Sequence, residues 1–438
     1  MAKQTREANK IELLAPAGDL NKLKIALEYG ADAVYCGVPD FSLRVRINQF
    51  SDNTLKEAVE YVHARKKKIY VTLNIYAHNQ HLEKIKKHIR YLKKLKVDAI
   101  IASDPGIILL IQEYWPECEI HLSTQANATN FSAVEFWRKQ GVKRIILARE
   151  VTLQEIKEIG AETKNIELEY FVHGAMCMSY SGRCILSKWM TDRSGNLGDC
   201  AQPCRWVYHE ITGNKKEIKS KQRKERMRRR DFSSMSVVDE KKRYVMDVEE
   251  DQHGTHFFNS YDMNLISHVG KLIDAGVTSL KIEGRAKSAY YLAIVTRAYR
   301  TVLFALENNL PEKEIEVIVR KQRRALDNLV HRGYSRGFLF GREPEHNFEN
   351  RSNRAKFQFV GEVRGVENNL NILRVHNHID LADELEAITP EKNIKLKIKK
   401  ILDYNKKEVE VADGGHNNEY YFEFDKVLDT MSLVRKVV

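Results

Sequence analysis

GADAVYCG, at residues 30–37, begins a pattern that returns at residues 96–103, 141–148 and 276–283 as KVDAIIAS, GVKRIILA and GVTSLKIE. Three of the four segments start with glycine, which suits the left-handed backbone just past a helix, and each continues into a short apolar run. Segments with apolar residues at three- and four-residue spacing lie between such runs, as expected of amphipathic helices. The pattern therefore predicts a repeated strand–helix unit.

Eight apolar runs follow this rhythm along the chain. We predict strands at residues 12–17, 33–36, 68–74, 99–103, 119–125, 144–149, 168–173 and 279–281. Eight strands that alternate with helices predict an α/β fold of the (β/α)8 TIM-barrel type, with an open doubly wound sheet as the alternative.

Two regions depart from the strand–helix rhythm. The barrel domain is expected at residues 11–345, with a cysteine-bearing insertion at residues 175–258 after strand 7. Residues 356–438 contain short alternating runs with Asn- or Gly-bearing turns, which predict a small, β-barrel-like, all-β C-terminal domain. Its strands are expected at residues 357–364, 371–375, 394–401, 408–411 and 420–424.

Composition narrows the class of protein. The 438 residues include 43% hydrophobic residues, enough for a sizeable core, which excludes a wholly disordered chain. No run of about 18 apolar residues suggests a membrane span, and the first residues lack a secretory signal, so we expect a cytoplasmic protein. The net charge is +12, and residues 215–230, KKEIKSKQRKERMRRR, carry eight of those charges.

Polar residues collect where the predicted strands end, which is the functional face of a (β/α)8 barrel. These residues are Asp19, Cys36, Asn74, Asp104, Gln125, Arg149, Glu150, His173, Glu283 and Arg285. Arginine binds carboxylates bidentately and histidine titrates near neutrality. We predict catalytic roles for His173, Glu283 and Arg285. We predict substrate binding by Asn74, Gln125, Arg149 and Arg285.

Four of the six cysteines, Cys177, Cys184, Cys200 and Cys204, lie within 28 residues in the spacing C-x6-C-x15-C-x3-C. Clustered thiols in a cytosolic chain are more often metal ligands than disulfides. The six-residue gap is wide for a zinc knuckle, which favours an iron–sulfur cluster, while zinc and redox-active thiols stay open.

Residues 169–187, EYFVHGAMCMSYSGRCILS, resemble the signature of the U-32 peptidase family of collagenase-like proteins. Four further blocks agree with the family pattern: LAPAGD at 14–19, LSTQAN at 122–127, YDMNL at 261–265 and KIEGR at 281–285. The resemblance is strong over residues 11–345 and looser over the β-rich tail.

The resemblance implies hydroxylation more than proteolysis. The branch most similar here is that of tRNA hydroxylation proteins, which make 5-hydroxyuridine at the wobble position without oxygen and use prephenate as hydroxyl source. Carried over, it implies a 4Fe–4S cluster on the four clustered cysteines, with tRNA and prephenate as partners and with electron-donor or cluster-assembly proteins. Sister branches hydroxylate ribosomal RNA or small aromatic precursors.

Three alternatives stay open beside this interpretation: action on another RNA or a small aromatic substrate, a collagenase-like peptidase, and a non-catalytic RNA-binding factor with structural zinc. The chain has no His-Glu-x-x-His and no Gly-x-Ser-x-Gly motif, which weakens the peptidase.

The basic run at residues 215–230 predicts an electrostatic contact with RNA phosphates. Its candidate RNA-binding residues are Lys221, Arg223, Lys224, Arg228, Arg229 and Arg230. A second candidate RNA surface surrounds a strand of the tail, with Lys395, Lys397, Lys399 and Lys400.

Overall fold

The structure is a computed structural model. It describes residues 10–37, 50–177, 179–181, 183–184, 186–191, 193, 200–206, 208–210, 235–239, 245–248, 250–251, 254–255, 261–341, 356–415 and 419–437.

A closed parallel barrel forms the first part of the chain. Its strands are β1 (Glu12–Pro16), β2 (Ala33–Gly37), β3 (Lys68–Thr72), β4 (Ala99–Ala102), β5 (Ile120–Leu122), β6 (Arg144–Ile146), β7 (Glu167–Ala175) and β14 (Ser279–Ile282). Each strand pairs with the next in parallel, and β14 pairs with both β7 and β1, which closes the ring. The predicted TIM-type barrel is confirmed, and the alternative of an open sheet is wrong.

Helices surround this barrel and also occur in the insertion. They are α1 (Leu20–Glu28), α2 (Asp52–Ala64), α3 (Leu82–Leu95), α4 (Pro105–Tyr114), α5 (Phe131–Lys139), α6 (Leu153–Glu162), α7 (Leu186–Thr191), α8 (Val269–Asp274), α9 (Ala289–Glu307) and α10 (Glu312–Asp327). Short 3-10 helices lie at Asn79–His81, Thr124–Ala126, Pro203–Arg205 and Ile266–His268. Side-chain caps start many of the helices, and in α2 and α6 the capping is reciprocal.

The insertion leaves the barrel after β7 and returns beside it. Its described strands are β8 (Tyr208–Glu210), β9 (Met235–Asp239), β10 (Val245–Val248), β11 (Glu250–Asp251) and β12 (Gly254–Thr255). Strand β13 (Asp262–Asn264) then runs antiparallel to the end of β7, and β15 (Tyr334–Ser335) pairs with β13. No helix within the described residues is long and apolar enough to cross a membrane.

An antiparallel β domain follows. Its strands are β16 (Phe357–Glu367), β17 (Leu370–Val375), β18 (Ile379–Asp380), β19 (Leu385–Ile388), β20 (Asn393–Leu396), β21 (Ile398–Leu402), β22 (Glu408–Val409), β23 (Val411–Ala412), β24 (Glu419–Phe424) and β25 (Leu433–Val437). Eight of them form one sheet in the order β20-β19-β25-β16-β17-β24-β21-β22. This confirms the predicted all-β tail.

The β domain packs against α1 and α9 of the barrel. The Tyr29 hydroxyl donates to the carbonyl of Ile388 at 2.6 Å, and Arg297 donates to the carbonyl of Thr389 at 2.6 Å. Ile388 and Leu433 belong to the same hydrophobic cluster as the barrel core. Apolar burial and buried hydrogen bonds therefore both fix the domain on the barrel.

Charged side chains fill part of the barrel interior. The carboxylate of Glu169 contacts Lys281 Nζ at 2.6 Å and Arg144 at 3.1 Å, and Glu169 is fully buried. Arg144 also pairs with Glu12 and Glu167. Burial acts to raise the pKa of Glu169, but the charges of Lys281 and Arg144 outweigh it and the pKa is lowered. We call these five residues the interior ion network.

We expect Glu169→Gln to lower the free energy of unfolding by about 3–5 kcal/mol, because Lys281 then remains buried without a carboxylate. Urea-induced unfolding at pH 7 measures this loss. The lowered pKa of Glu169 means that its contribution is present at neutral pH and is lost as the pH falls through its folded pKa, so the difference from wild type should shrink in acid. Glu83→Gln, in an exposed ion pair with Lys86, should leave the midpoint unchanged. A Glu169→Gln variant as stable as wild type would contradict a structural role for the network.

Candidate functional site

The strand ends that form the mouth of the barrel carry buried polar groups, as expected of the functional face of this fold. Two of the polar residues singled out from the sequence cap helices instead. Asp19 accepts the Lys22 backbone N–H at 2.8 Å, and Asp104 accepts that of Ile107 at 3.0 Å. These two carboxylates are therefore accounted for by helix capping.

Asn74 and Gln125 are brought together through Ser123. The Asn74 amide donates to the Ser123 hydroxyl at 3.3 Å, and that hydroxyl donates to Gln125 Oε1 at 3.2 Å. Asn74 Oδ1 and Gln125 Nε2 are buried without a hydrogen-bond partner among the described residues. An unsatisfied buried acceptor and donor carry a free-energy cost that a polar ligand would remove.

Arg149 lies three residues after β6, with its guanidinium 3.9 Å from the centroid of the Phe171 ring. The side chain is buried, and its Nε has no hydrogen-bond partner among the described residues. Tyr170 fixes the backbone here, since its hydroxyl donates to the carbonyl of Arg149. The arrangement presents a held cation with unused donor capacity.

Arg285 follows β14 and is also buried. Its guanidinium donates to the hydroxyl of Thr72 on β3 at 3.2 Å and lies 5.9 Å from the Tyr35 ring centroid. Cys36 lies near it, since the same Thr72 hydroxyl donates to the carbonyl of Cys36 at 3.0 Å. Burial raises the pKa of Cys36 to about 12, so Cys36 remains a neutral thiol near neutral pH.

Glu283 joins the last barrel strand to the start of the cysteine-bearing segment. Its Oε2 accepts the backbone N–H of Ala175 at 3.3 Å. Gly174 has φ +111°, and a Cβ there would lie 2.7 Å from the carbonyl oxygen of Glu283. The close approach of the two strands requires glycine at this position.

His173 is fully buried among tyrosine rings. Its ring centroid lies 5.6 Å from that of Tyr299, 5.3 Å from Tyr334 and 6.0 Å from Tyr291. Burial lowers the pKa of His173 to about 3, so its imidazole is neutral near pH 7. A neutral, enclosed ring suits positioning of its neighbours, and a catalytic role for His173 stays a prediction.

None of the four clustered cysteines is in a disulfide, and Cys177 is exposed two residues after β7. Glu150 holds the first part of this segment by accepting the backbone N–H of Ser181 at 3.0 Å. The second part packs on α7, where the Ser187 hydroxyl accepts the backbone N–H of Ala201 at 2.8 Å. The Cys200 sulfur accepts the backbone N–H of Gln202 at 3.3 Å.

Four thiols beside the mouth fit an iron–sulfur cluster or zinc in the chemistry of their donor atoms. Among the described residues, however, no three His, Cys, Asp or Glu side chains converge as ligands of one metal ion. The fit is therefore one of ligand type and location, and no ligand geometry follows from it.

The basic run at residues 215–230, with all six of its candidate RNA-binding residues, lies outside the described residues. In the tail, Lys399 pairs with Glu423 at 3.7 Å and Lys400 with Glu408 at 2.8 Å. Half of the four lysines predicted as a second RNA surface are thus engaged with carboxylates.

The sequence singled out Asn74, Gln125, Arg149 and Arg285 as candidates. It did not single out the groups that hold them, above all Ser123, Thr72 and Phe171. Ser123 could have been found, since it lies two residues before Gln125 where the strand ends. Thr72 and Phe171 face the mouth because of strand order and stagger, which the sequence does not display.

These features define a barrel protein whose mouth offers held cations and unsatisfied amide groups beside a cysteine-rich segment. The chain belongs to Peptidase family U32, whose family model matches residues 18–349, and the model of the Peptidase family U32 C-terminal domain matches residues 355–435.

Three curated relatives illustrate the range of names in this family. The tRNA hydroxylation protein P of Haemophilus influenzae is 40% identical, over 93% of this chain and 92% of the relative. The 23S rRNA 5-hydroxycytidine C2501 synthase of Escherichia coli is 35% identical, over 69% of this chain and 40% of the relative. The Collagenase of Porphyromonas gingivalis is 27% identical, over 93% of both chains.

Thiol reactivity should separate the two groups of cysteines. In metal-free, reduced protein at pH 8, iodoacetamide should label Cys177 rapidly, because this residue is exposed. Cys36 and Cys118 should stay unlabelled until the protein is denatured, because burial raises the pKa of each thiol to about 12. Peptide mass spectrometry over a time course measures both rates, and early labelling of Cys36 would contradict the buried environment described here.

Proposed function

We propose that this protein is an RNA-modifying enzyme that hydroxylates a pyrimidine base of tRNA, specifically the wobble uridine to 5-hydroxyuridine. The observation that carries the proposal is the set of unsatisfied polar atoms on Asn74, Gln125 and Arg149 at the barrel mouth, beside the cysteine segment. A pyrimidine presents carbonyl acceptors and an imide donor that such groups can satisfy. Similarity to a relative named for tRNA hydroxylation supports tRNA as the substrate.

The proposal includes a 4Fe–4S cluster held by Cys177, Cys184, Cys200 and Cys204, with zinc as the alternative metal. When bound on four thiolates, such a cluster would supply electron transfer beside the substrate. Glu150 and α7 would hold the two halves of the segment in place for it. Cluster-assembly and electron-donor proteins are the partners that this cofactor would require.

Prephenate is proposed as the source of the hydroxyl group, and as a dicarboxylate it needs cationic partners. Arg285 and Arg149 suit this role because each is buried and held by protein contacts, the hydroxyl of Thr72 and the ring of Phe171. A fixed guanidinium in a water-poor site binds a carboxylate more strongly than a mobile one in solution.

Glu283 is the group proposed to move a proton at the mouth. Its carboxylate lies next to Ala175, the last residue of the strand that leads to Cys177. His173 would act through its neighbours, since its ring is enclosed by tyrosines and uncharged near neutrality. The run at residues 215–230 is proposed to contact RNA phosphates outside the mouth.

The candidate site gives little support to the alternative that this protein is a peptidase. Cys36 lies at the carboxyl end of β2, yet burial raises the pKa of its thiol to about 12, which makes it a poor nucleophile. The name of the Porphyromonas relative is the observation in its favour. Release of peptides from gelatin by purified protein, surviving Cys177→Ala, would support the peptidase.

Deletion of the gene should remove 5-hydroxyuridine and its derivatives from tRNA, as measured by nucleoside mass spectrometry. Wild type supplied in trans should restore them. Cys177→Ala should fail to restore them and should lower the iron content from about four atoms per chain in anaerobically purified protein. Cys118→Ala, a cysteine outside the cluster, is the matched control and should behave as wild type. Unchanged nucleosides in the deletion strain, or a colourless protein loaded with zinc, would contradict the proposal.

Arg285→Ala should reduce hydroxylation by about tenfold or more while the iron content stays at the wild-type level, because a hydrogen bond to a charged group contributes about 1.5–3 kcal/mol. Higher prephenate should partly restore the rate if the arginine binds that substrate. Arg138→Ala, in a partly exposed ion pair with Glu135 on α5, is the control and should retain full activity. Wild-type rates for Arg285→Ala at low prephenate would remove Arg285 from the site.

A further inference from the structure

A pocket of about 610 Å³ opens between the loop after β14 and the first strand of the β domain, β16. Tyr290 and Tyr291 line it from the start of α9, and Phe357 lines it from β16. Among its described lining residues, Lys287 is the charged group and no carboxylate is present. We call this the interdomain pocket, and its chemistry is aromatic with one positive charge.

The aromatic wall is held in place before any ligand binds. The Tyr290 ring stacks on that of Phe359, with centroids 5.5 Å apart and planes within 14°. Arg435 donates to the Tyr290 hydroxyl at 2.8 Å and places its guanidinium 3.5 Å from the Phe357 ring centroid. Glu386 fixes Arg435 in turn. A preorganised wall loses little conformational entropy on binding.

The rim of the pocket is apolar although it is exposed to solvent, where a polar residue is more usual. Val330 lines it, and 59% of that residue is exposed. Phe357 is half-buried, so part of its ring faces the pocket.

The interdomain pocket adjoins the candidate site. The Tyr291 hydroxyl donates to the carbonyl of Glu283 at 3.2 Å, and a Cβ on Gly284 would lie 2.7 Å from the Tyr291 ring. Lys287 Nζ lies 5.2 Å from the centroid of that ring. The wall of the pocket is thus packed against the turn that carries Glu283 and Arg285, so a polymer with one base at the mouth can place a neighbouring base here.

We propose that the interdomain pocket binds an unpaired nucleobase of the substrate RNA, next to the base at the barrel mouth, with Lys287 at the adjoining phosphate. This inference rests on the proposed function and adds to it the place where flanking RNA binds. The tyrosines are buried and support the wall, whereas the partly exposed ring of Phe357 offers a flat face on which any base can stack. A cation without a competing carboxylate among the described lining residues suits a phosphate. The pocket also lies on both domains, so RNA binding would use the β domain as well as the barrel.

Single-position photo-cross-linking tests the location. Full-length protein, purified anaerobically, is mixed with an anticodon stem–loop RNA that carries 4-thiouridine at one loop position at a time. We expect a position next to the target base to cross-link to the peptides containing Tyr290 or Phe357. Peptide mass spectrometry identifies the site of attachment.

Affinity measurements test the energetics with the same RNA. Lys287→Glu and Val330→Glu should each weaken binding by roughly tenfold in fluorescence anisotropy, because each places a carboxylate beside the bound base and phosphate. Val330 is exposed, so this substitution should leave the thermal unfolding midpoint unchanged. Lys139→Glu and Phe136→Ala, exposed on α5, are the matched controls and should bind as wild type.

Wild-type affinity for both pocket variants, with cross-links confined to other peptides, would overturn the inference. The inference would also be overturned if Lys287→Glu and Val330→Glu lost prephenate binding in equilibrium dialysis while their RNA affinity stayed unchanged. The pocket would then hold a small dicarboxylate. A tRNA-nucleoside profile unchanged by gene deletion would instead refute the proposed function, and RNA binding that is still sensitive to Val330→Glu would leave the pocket as an RNA site. Wild-type protein that binds no RNA would overturn both.

Discussion

The carboxylate of Glu169 on β7 forms ion pairs with both Lys281 on β14 and Arg144 on β6, inside the barrel. These ion pairs fix the register of the three neighbouring strands. If one of these strands shifted its register by one residue, its charged side chain would point into the apolar layer between strands and helices. The folded state would lose several kcal/mol of stability. Arg149, Gly174 and Glu283 lie a few residues further along these three strands or just after them. The position of Arg149, the end of β7 and Glu283 therefore depends on the interior ion network.

Much of the barrel could be predicted because its turns repeat, but the strand ends and some elements could not. Residues 119–125 were expected as one strand, whereas β5 ends at Leu122, since Ser123 accepts the N–H of Gln125 and starts a 3-10 turn. Residues 394–401 were also expected as one strand. They form β20 and β21, separated at Lys397, whose N–H bonds to Asp425. Strand β25 was missed because Arg435 interrupts its apolar pattern, and that arginine is buried by pairing with Glu386.

The same limits apply to the candidate site. Strand-end position was enough to single out Asn74, Gln125 and Arg149, yet it could not show the orientation of His173. Simple alternation places His173 on the same side as Glu169 and Phe171. The register shift opposite Lys281 adds one residue to β7, and His173 packs instead against Tyr299 of the outer helix α9. Such bulges redirect side chains, and no local sequence signal announced this one.

The pairing of Ala175 with Asp262 has a consequence for how this architecture can vary. The insertion leaves the barrel at Ala175 and returns at Asp262. Because these two residues pair, the two ends of the insertion are held side by side, independently of the sequence between them. Because the entropy of closing a loop grows only slowly with its length, segments can be added to or removed from the excursion with little effect on barrel stability. Cys177 lies two residues beyond Ala175, and its distance from the barrel mouth would stay constant through such changes. Exchange of the distal part of the insertion would therefore change the range of substrates while Cys177 stays at the same position relative to the barrel mouth.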